Sequence, residues 1–340
     1  MTAGGSRGGP RLRSLVAVGI VSSFIAIALL IAAVDPFRTL AIVQKARPGP
    51  LVLAIGILAV QTVVRAARWR LLLGRGGGGA PLPFGLVLRA LLIGYLGNAA
   101  LPARLGEAAR AGVVARAANR AFGTVLGTVL LERLIDLVAL AVLVLVASLF
   151  APIPSLVVYV AAVTIALGVA GGLVLAVAGQ RLGRAVSAAP VGLRQRALAF
   201  MRHVLAGALY PGRPVIITAG ALSVVAWLLD AGLFLAVAAS LRITLTVGTA
   251  VIIDAAGALA TALPAAPGYV GTYDLAAAAA GAGLGLDPAT AVALAAVVHA
   301  VALVPIALAG RPLSSRRPWP GGLCGSGAHG PSGRTDSRHF

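Results

Sequence analysis

Long apolar segments recur along this 340-residue chain, and most have the length that crosses a lipid bilayer. A transmembrane helix needs about 20 predominantly apolar residues because the hydrocarbon core is about 30 Å thick. The composition agrees, since 59% of the residues are hydrophobic and 11% are charged, whereas soluble domains contain about 25% charged residues. The sequence therefore predicts an all-α polytopic membrane protein and argues against a soluble catalytic domain.

The apolar segments divide the chain into three regions. The first segment exceeds the roughly 7–15 residues of a signal-peptide core, so we expect an uncleaved anchor. Residues 1–13 are a basic N-terminus, residues 14–310 the transmembrane domain, and residues 311–340 a Gly/Ser/Pro/Arg-rich tail that we expect to be disordered. The segments are residues 14–34, 51–73, 84–101, 121–150, 153–178, 215–241, 246–263, 269–286 and 289–309.

The distribution of arginine predicts the topology. The net charge of +19 is spread between apolar segments, without the interleaved aromatics of a nucleic-acid surface, so we expect no nucleic-acid partner. If every segment crossed the membrane, one arginine-rich loop would lie outside, against the positive-inside rule. Re-entrant pairs at residues 84–116 and 246–286, entering from opposite sides, remove this conflict. Six full crossings remain, and only Arg38, Lys45, Arg47 and Arg242 are exterior.

This topology places both termini in the cytoplasm of a bacterium, with the chain in its plasma (inner) membrane. The basic linker at residues 180–214 is then cytoplasmic as well. Its composition is typical of an amphipathic helix that lies on a membrane surface.

A short motif recurs in the two re-entrant pairs. Residues 101–103 read Leu-Pro-Ala and precede Gly106, and residues 263–265 read the same and precede Gly268. This indicates a degenerate inverted repeat, although a chain so rich in alanine and leucine also produces such matches by chance. Proline interrupts a helix, and the freed backbone groups are tolerated at membrane depth only against protein or a wet cavity. Broken helices in two halves point to a midplane binding site.

Polar side chains surround the first break. They are Asn98, Arg104, Glu107 and Arg110, and the three-residue spacing of the last three predicts a shared helix face. Such a face would present a paired, ionic surface.

A second charged group, Glu132, Arg133 and Asp136, lies on one side of the segment at residues 121–150. A charge at the bilayer centre costs about 2.5–3.5 kcal/mol on insertion scales, so we expect these three side chains to have partners or water. The alternative is that both charged groups lie at the cytoplasmic interface and only fix the orientation of their helices.

Other ionisable residues have a simpler interpretation. Arg68 and Trp69 end the second apolar segment, and such a pair is typical of an interfacial anchor, although it could also bind lipid phosphate. Asp230, Asp254 and His299 are isolated in apolar segments. We expect each of them to find a backbone or hydroxyl partner rather than a substrate.

The second break contains two prolines and two glycines ahead of a carboxylate. We take Pro267, Gly268, Gly271 and Asp274 as candidate headgroup contacts. A loop of this kind exposes backbone amides at a helix N-terminus, where the helix dipole favours an anion such as a phospholipid phosphate.

Taken together, these motifs resemble the membrane domain of the lysylphosphatidylglycerol synthase and flippase family, the lipid-translocating half of the multiple peptide resistance factor. The resemblance extends from about Leu15 to Gly310. Tyr269 replaces a glycine that is usual in the family, and Asp274 replaces a glutamate. The resemblance to the family rests on four stretches of the sequence: Arg68-Trp69 with Leu72 and Leu73; Asn98 with Pro102, Arg104, Gly106, Glu107 and Arg110; Glu132-Arg133 with Asp136; and Pro264 with Pro267, Gly268, Gly271 and Asp274.

The resemblance implies a flippase-like protein for an anionic, zwitterionic or polyprenyl-phosphate-linked lipid. Arg104 and Arg110 would hold the phosphate, the carboxylates would balance them, and the loop at residues 267–271 would form the opposite gate. The soluble aminoacyl-transfer domain of the synthases is not found in this sequence, so we do not expect a synthase.

Two other functions remain open. One is a non-transporting accessory subunit for an envelope glycosyltransferase, with residues 181–213 as its docking surface. The other is an enzyme of lipid-linked transfer, for which the sequence offers little. It contains no His/Cys cluster, nucleotide-binding glycine loop or serine elbow, and Cys324 is its single cysteine. We therefore expect a non-enzyme without metal or cofactor.

Overall fold

The architecture is that of a helical membrane protein. The computed structural model describes residues 10–74, 81–101, 104–150, 159, 161–168, 170–172, 174, 177, 193–262 and 265–315. All regular structure in these ranges is helical, which confirms the predicted all-α polytopic class.

Eleven α-helices have both ends within the described ranges, and proline, threonine or aspartate begins several of them. Proline lies in the first turn of α2, α3 and α8, where its missing N–H costs nothing. The helices are α1 (Pro10–Ala33), α2 (Pro36–Gln44), α3 (Pro48–Leu73), α4 (Phe84–Ala100), α5 (Leu105–Ala117), α6 (Phe122–Ala147), α7 (Leu193–Leu209), α8 (Arg213–Ser240), α9 (Val247–Ala260), α10 (Thr272–Gly283) and α11 (Pro288–Ser315).

Several helices have the length and composition of a membrane crossing. In the described ranges these are α3, α8 and the Pro288–Ile306 part of α11, and the pair α1 and α2, bent by 88°, counts as a fourth if it is one broken span. Helix α6 is as long as α3 but carries three charged residues in its middle. Of the predicted segment at residues 153–178, residues 161–168 and 170–172 are helical. The number of six full crossings therefore stays a prediction.

The first predicted re-entrant pair is a helical hairpin. Helices α4 and α5 have 17 and 13 residues, or about 26 and 20 Å at about 1.5 Å per residue, so each falls short of the hydrocarbon core. Their backbones are in direct contact at Gly106. A Cβ at this position would collide with the Gly94 carbonyl and with Asn98. The interruption lies where predicted, although Pro102 itself is outside the described residues.

The second pair has the same form. Helices α9 and α10 have 14 and 12 residues, again too short to cross the membrane. Between them the chain forms a 3-10 turn at Pro267–Tyr269, while Pro264 is outside the described residues. Thr246 caps the N-terminus of α9, because its hydroxyl accepts a hydrogen bond from the backbone N–H of Thr249 at 3.2 Å.

The tips of the two hairpins touch. Arg104, between α4 and α5, bonds to Thr261 at the end of α9, and the Ala99 carbonyl lies against Gly268 in the 3-10 turn. The polar residues of both breaks are thereby brought to one place inside the helical assembly.

The basic linker packs on the protein in its described part. Residues 193–209 form α7, which crosses α6 so closely that a Cβ on Gly127 or Gly207 would collide with the carbonyl of Val204 or Thr124, respectively. Its location at a membrane surface stays a prediction. At the other end of the chain, α11 continues to Ser315, five residues into the segment assigned to the tail.

Candidate functional site

Arg104 is the residue at which the first hairpin turns. It adopts a left-handed conformation (φ 54°) immediately before α5. Its Nε donates to the Thr261 carbonyl at 3.0 Å and its Nη2 to the Thr261 hydroxyl at 2.6 Å, and its guanidinium lies 6.0 Å from the Tyr269 ring centre. The expected face shared with Glu107 was therefore wrong, because Arg104 precedes the helix. Glu107 and Arg110 do share one face, 3.8 Å apart.

Three carboxylates and three arginines form a buried ion-pair network behind this turn. Its centre is Arg68, which is completely buried and bonds to Asp136, to Glu132 Oε1 at 2.8 Å and to the Ser223 hydroxyl at 2.6 Å. Glu132 also accepts from Arg110 Nη1 at 3.1 Å through its second oxygen. A four-residue spacing on α6 places Glu132 and Asp136 on one side, so both reach the same arginine.

The burial of Arg68 and Trp69 corrects their expected role as interfacial anchors. Both side chains are 0% exposed. The Trp69 indole N–H donates to the Thr128 hydroxyl at 3.2 Å, and the Arg110 guanidinium stacks over the ring at 4.6 Å. An anchor would present its ring to lipid headgroups, whereas this ring forms part of the wall behind the ionic network.

Arg133 connects the network to the first hairpin. Its guanidinium lies 3.3 Å from Glu107, 3.2 Å from Glu132 and 3.6 Å from Asp136. Glu132 and Asp136 are buried against cations, so the expected partners are present. Whether the group lies at the cytoplasmic interface stays open.

Asp230 is paired rather than isolated. It accepts from Gln61 and from Arg65 Nη2, the latter at 2.6 Å. The Arg65 guanidinium stacks over Trp227 at 5.3 Å, and the Trp227 indole donates to the Asp136 carbonyl at 3.2 Å. The expectation of a backbone or hydroxyl partner for Asp230 was wrong, and Arg65 is a site residue that the sequence analysis did not select.

A polar cavity of about 150 Å³ lies between the two hairpin tips and this network. Five of the predicted headgroup contacts line it, namely Asn98, Arg104, Glu107, Arg110 and Arg133. Glu132 and Asp136 lie behind these residues and hold the arginines in place. The other lining residues were not predicted; they are Arg65, Gly94, Tyr95, Thr261 and Tyr269.

The cavity has unused hydrogen-bonding capacity. Arg110 Nη2, Arg133 Nε, Arg65 Nε and Asn98 Oδ1 are buried and form no hydrogen bond, although Arg110 Nη2 and Arg133 Nε lie 3.8 and 3.3 Å from Glu107. Buried polar groups normally form a hydrogen bond, because a buried donor or acceptor without a partner costs about 1–3 kcal/mol, and more if the group is charged. These atoms therefore mark where a ligand or water belongs.

The charges around the cavity do not cancel. Of the described residues that line it or belong to its ion pairs, five are arginines (65, 68, 104, 110 and 133) and four are carboxylates (107, 132, 136 and 230), which leaves one positive charge. No carboxylate of the described ranges lies within ion-pair distance of Arg104, so the excess resides there. The cavity favours one anionic group.

In the second break, a side chain of the protein itself caps the N-terminus of α10. The Gly271 amide donates to Asp274 Oδ2 at 2.9 Å, and Asp274 Oδ1 lies 2.8 Å from His299 Nδ1. The Asp274 carboxylate thus engages the Gly271 amide at the terminus of α10, and an external anion on the other amides of this turn stays a prediction. Pro267 and Gly268 belong to the 3-10 turn that places Tyr269 against Arg104.

Sequence comparison connects these features to known proteins. The family model described as the lysylphosphatidylglycerol synthase TM region matches residues 14–310. A stretch of 134 residues is 29% identical to a protein named glycosyltransferase AglD from Haloferax volcanii. The aligned stretch covers 39% of this chain and 21% of that protein. The chain thus spans about a fifth of that relative. It is a multi-pass membrane protein and belongs to the family of the lysylphosphatidylglycerol synthase TM region.

Proposed function

We propose that this protein binds the phosphate of an amphiphilic lipid in the cavity between the hairpin tips and translocates that lipid across the bilayer without chemically changing it. The observation that carries the proposal is the charge of Arg104, which has no carboxylate within ion-pair distance in the described ranges, in a cavity that Arg110 and Arg133 also line. Guanidinium groups with free donors are the usual protein partners of phosphate oxygens.

The size of the cavity favours a phosphate. Its volume of about 150 Å³ equals about five water molecules at roughly 30 Å³ each. A phosphate fits within that space, whereas a sugar or aminoacyl headgroup requires the tips to separate. Arg104 and Tyr269 face each other across the tips, so they are the residues that must move apart.

The surroundings of α5 favour a ligand with a hydrocarbon chain. One side of α5 presents Glu107 and Arg110 to the polar cavity. Its other side presents Ala108, Ala109 and Gly112 to a largely apolar groove of about 820 Å³. A lipid can place its phosphate on the first side and an acyl or prenyl chain along the second.

The ionic network supplies a preorganised site. Arg104 exchanges its neutral partner Thr261 for phosphate, while Arg110 and Arg133, which also line the cavity, add positive charge beside the same anion. The ion pairs with Glu132 and Asp136 hold Arg110 and Arg133 in place when the lipid leaves the cavity. Glu107, at the cavity surface, contacts a cationic headgroup where the lipid carries one.

Translocation in proteoliposomes tests the proposal. Purified protein is reconstituted with labelled phosphatidylglycerol, polyprenyl phosphate or, as a phosphate-free control, diacylglycerol. We expect acceleration for a phosphate-bearing lipid only. Arg104→Ala and Glu107→Ala should abolish it, whereas Arg89→Ala, an exposed residue of the same hairpin, should not. Equal activity of the Arg104 variant, or acceleration of diacylglycerol, contradicts the proposal.

A second candidate function is an accessory subunit that recruits a glycosyltransferase and transports nothing. The similarity to a protein named as a glycosyltransferase favours it. In this case α7 is the docking surface. Co-purification of a glycosyltransferase that is lost when Arg196 and Arg202 are replaced, together with the absence of lipid translocation, supports this function over the first.

We further propose that the chain resides in a bacterial plasma membrane with both termini in the cytoplasm, as the positive-inside rule implies. Cys324, its single cysteine, provides the test. A membrane-impermeant maleimide should label it in inverted vesicles and leave it unlabelled in intact spheroplasts.

A further inference from the structure

His299 is held between two hydrogen-bond acceptors. Its Nδ1 lies 2.8 Å from Asp274 Oδ1, and its Nε2 lies 2.8 Å from the Gly268 carbonyl oxygen. The side chains of His299 and Asp274 are 11% and 13% exposed. The two residues therefore form a nearly buried pair between α10 of the second hairpin and α11, outside the polar cavity.

These contacts fix the number of protons on the pair. A carbonyl oxygen only accepts, so Nε2 carries a hydrogen. The other contact, between Nδ1 and Oδ1, also needs a hydrogen, which belongs either to an imidazolium or to a carboxylic acid. The second carboxylate oxygen already accepts from Gly271. When both contacts are hydrogen bonds, the pair holds one proton more than a neutral histidine beside a carboxylate.

The neighbouring helices provide no substitute for this proton. In the described ranges His299 is the one cation within ion-pair distance of Asp274. Helix α10 contributes the Tyr273 ring at 4.7 Å from the histidine ring. Asp254 lies on α9 and Asp230 on α8. Helix α1 contributes the neutral Ser23. The other charges nearby are engaged, since Arg65 of α3 pairs with Asp230, Arg38 of α2 with Asp287, and Arg104 with Thr261.

Gly268 and Tyr269 connect the Asp274–His299 pair to the polar cavity. His299 binds the carbonyl of Gly268, and the next residue, Tyr269, lines the cavity opposite Arg104. Tyr269 has a φ of 59°, a conformation that is strained for a residue with a side chain and persists only where its surroundings hold it. If the shared proton leaves, one ring hydrogen remains, and the charged Asp274 carboxylate is the stronger acceptor for it. Nε2 is then left without a hydrogen to donate to the Gly268 carbonyl, and the strained turn can relax away from Arg104.

We propose that Asp274 and His299 form a proton-binding site whose occupancy closes the tip of the second hairpin, so that one proton is exchanged for each lipid moved. This inference rests on the proposed translocation and assigns its coupling ion. One pH unit corresponds to a factor of 10 in an equilibrium constant. With one proton per lipid, a gradient of one pH unit therefore biases the transbilayer distribution of the lipid by about tenfold.

Liposomes with different internal and external pH test the coupling. The wild type should distribute labelled phosphatidylglycerol about tenfold unevenly under a gradient of one pH unit. Asp274→Asn should show neither the bias nor net transport, because the amide can donate to Nδ1 and accept from Gly271, and so holds the tip in the closed, loaded form. His203→Gln, at an exposed histidine of α7, is the matched control and should retain the bias.

A second measurement is independent of transport. Potentiometric titration of detergent-purified protein should release about one proton fewer from the double variant Asp274→Asn/His299→Gln than from the wild type. Translocation without a gradient effect, a bias that survives Asp274→Asn, or identical titrations overturn the proton site and leave the proposed function standing. Absence of any translocation contradicts the proposed function instead, and the titration then decides the proton site alone.

Discussion

Arg104 donates to both the carbonyl and the hydroxyl oxygen of Thr261, 157 positions further along the chain, and this contact joins the tips of the two hairpins. The arginine that carries the unbalanced charge of the cavity is therefore held by a neutral partner. A phosphate offers it a charged one, and hydrogen bonds between charged groups are about twice as strong as neutral ones.

Thr261→Val removes the hydroxyl partner of Arg104 and preserves the shape of the side chain. Because the freed Nη2 can bind phosphate without first giving up a partner, we expect more anionic lipid to co-purify. A hydrogen bond to a charged group is worth about 1.5–3 kcal/mol, so the increase should be about tenfold or more. Native mass spectrometry measures it, with the exposed Thr218→Val as control. A loss of lipid would identify Thr261 as a ligand instead.

Glu132→Gln removes the charge that Arg68, Arg110 and Arg133 share. The amide has nearly the same shape, but it leaves buried arginines without a counter-charge. Breaking a buried ion pair costs about 3–5 kcal/mol, so the variant should unfold at a clearly lower temperature in detergent. Thermal unfolding measures the effect. An unchanged Tm would mean that water, not Glu132, compensates these arginines.

The pair Arg68 and Asp136 allows a double-mutant comparison. Asp136→Asn leaves a buried cation partly unpaired and should destabilise the protein strongly. The double variant Arg68→Met/Asp136→Asn removes both charges and should be less destabilised than Asp136→Asn, because it strands neither partner. Equal or greater loss of stability in the double variant contradicts this pairing.

Two glycines of α5 predict opposite outcomes for the same substitution. A Cβ at Gly106 collides with the Gly94 carbonyl and Asn98, whereas one at Gly112 meets nothing within 4 Å. Gly106→Ala should open the first hairpin, with lower Tm and less bound lipid. Gly112→Ala should be neutral or stabilise by up to about 1 kcal/mol, since alanine favours helix. Similar unfolding temperatures for the two variants would contradict the tight hairpin.

Much of the architecture was predictable because hydrophobicity and proline act locally. The pattern of residues 84–116 and 246–286 predicted two interrupted hairpins, and the structure confirms short helices there. The residues around the first break and those of α6 were selected because charges in apolar segments are costly.

The partners of these charges could not be predicted. Arg65 meets Asp230 across 165 positions, and Arg68 meets Asp136 across 68. Such distances carry no periodic signal in a single sequence, and Arg68 beside Trp69 has the composition of a lipid-facing anchor. The position of Arg104 was also wrong, because a left-handed residue turns the chain where helical spacing had been assumed.

The contact of α6 with α7 has a mechanical consequence. Where Gly127 and Gly207 let the two backbones touch, there is no soft layer of side chains to absorb a shift. Glu132 lies five residues beyond Gly127, about 7.5 Å along the helix axis at about 1.5 Å per residue. We therefore expect a displacement of α7 to shift α6, and Glu132 with it, rather than to be absorbed at the contact.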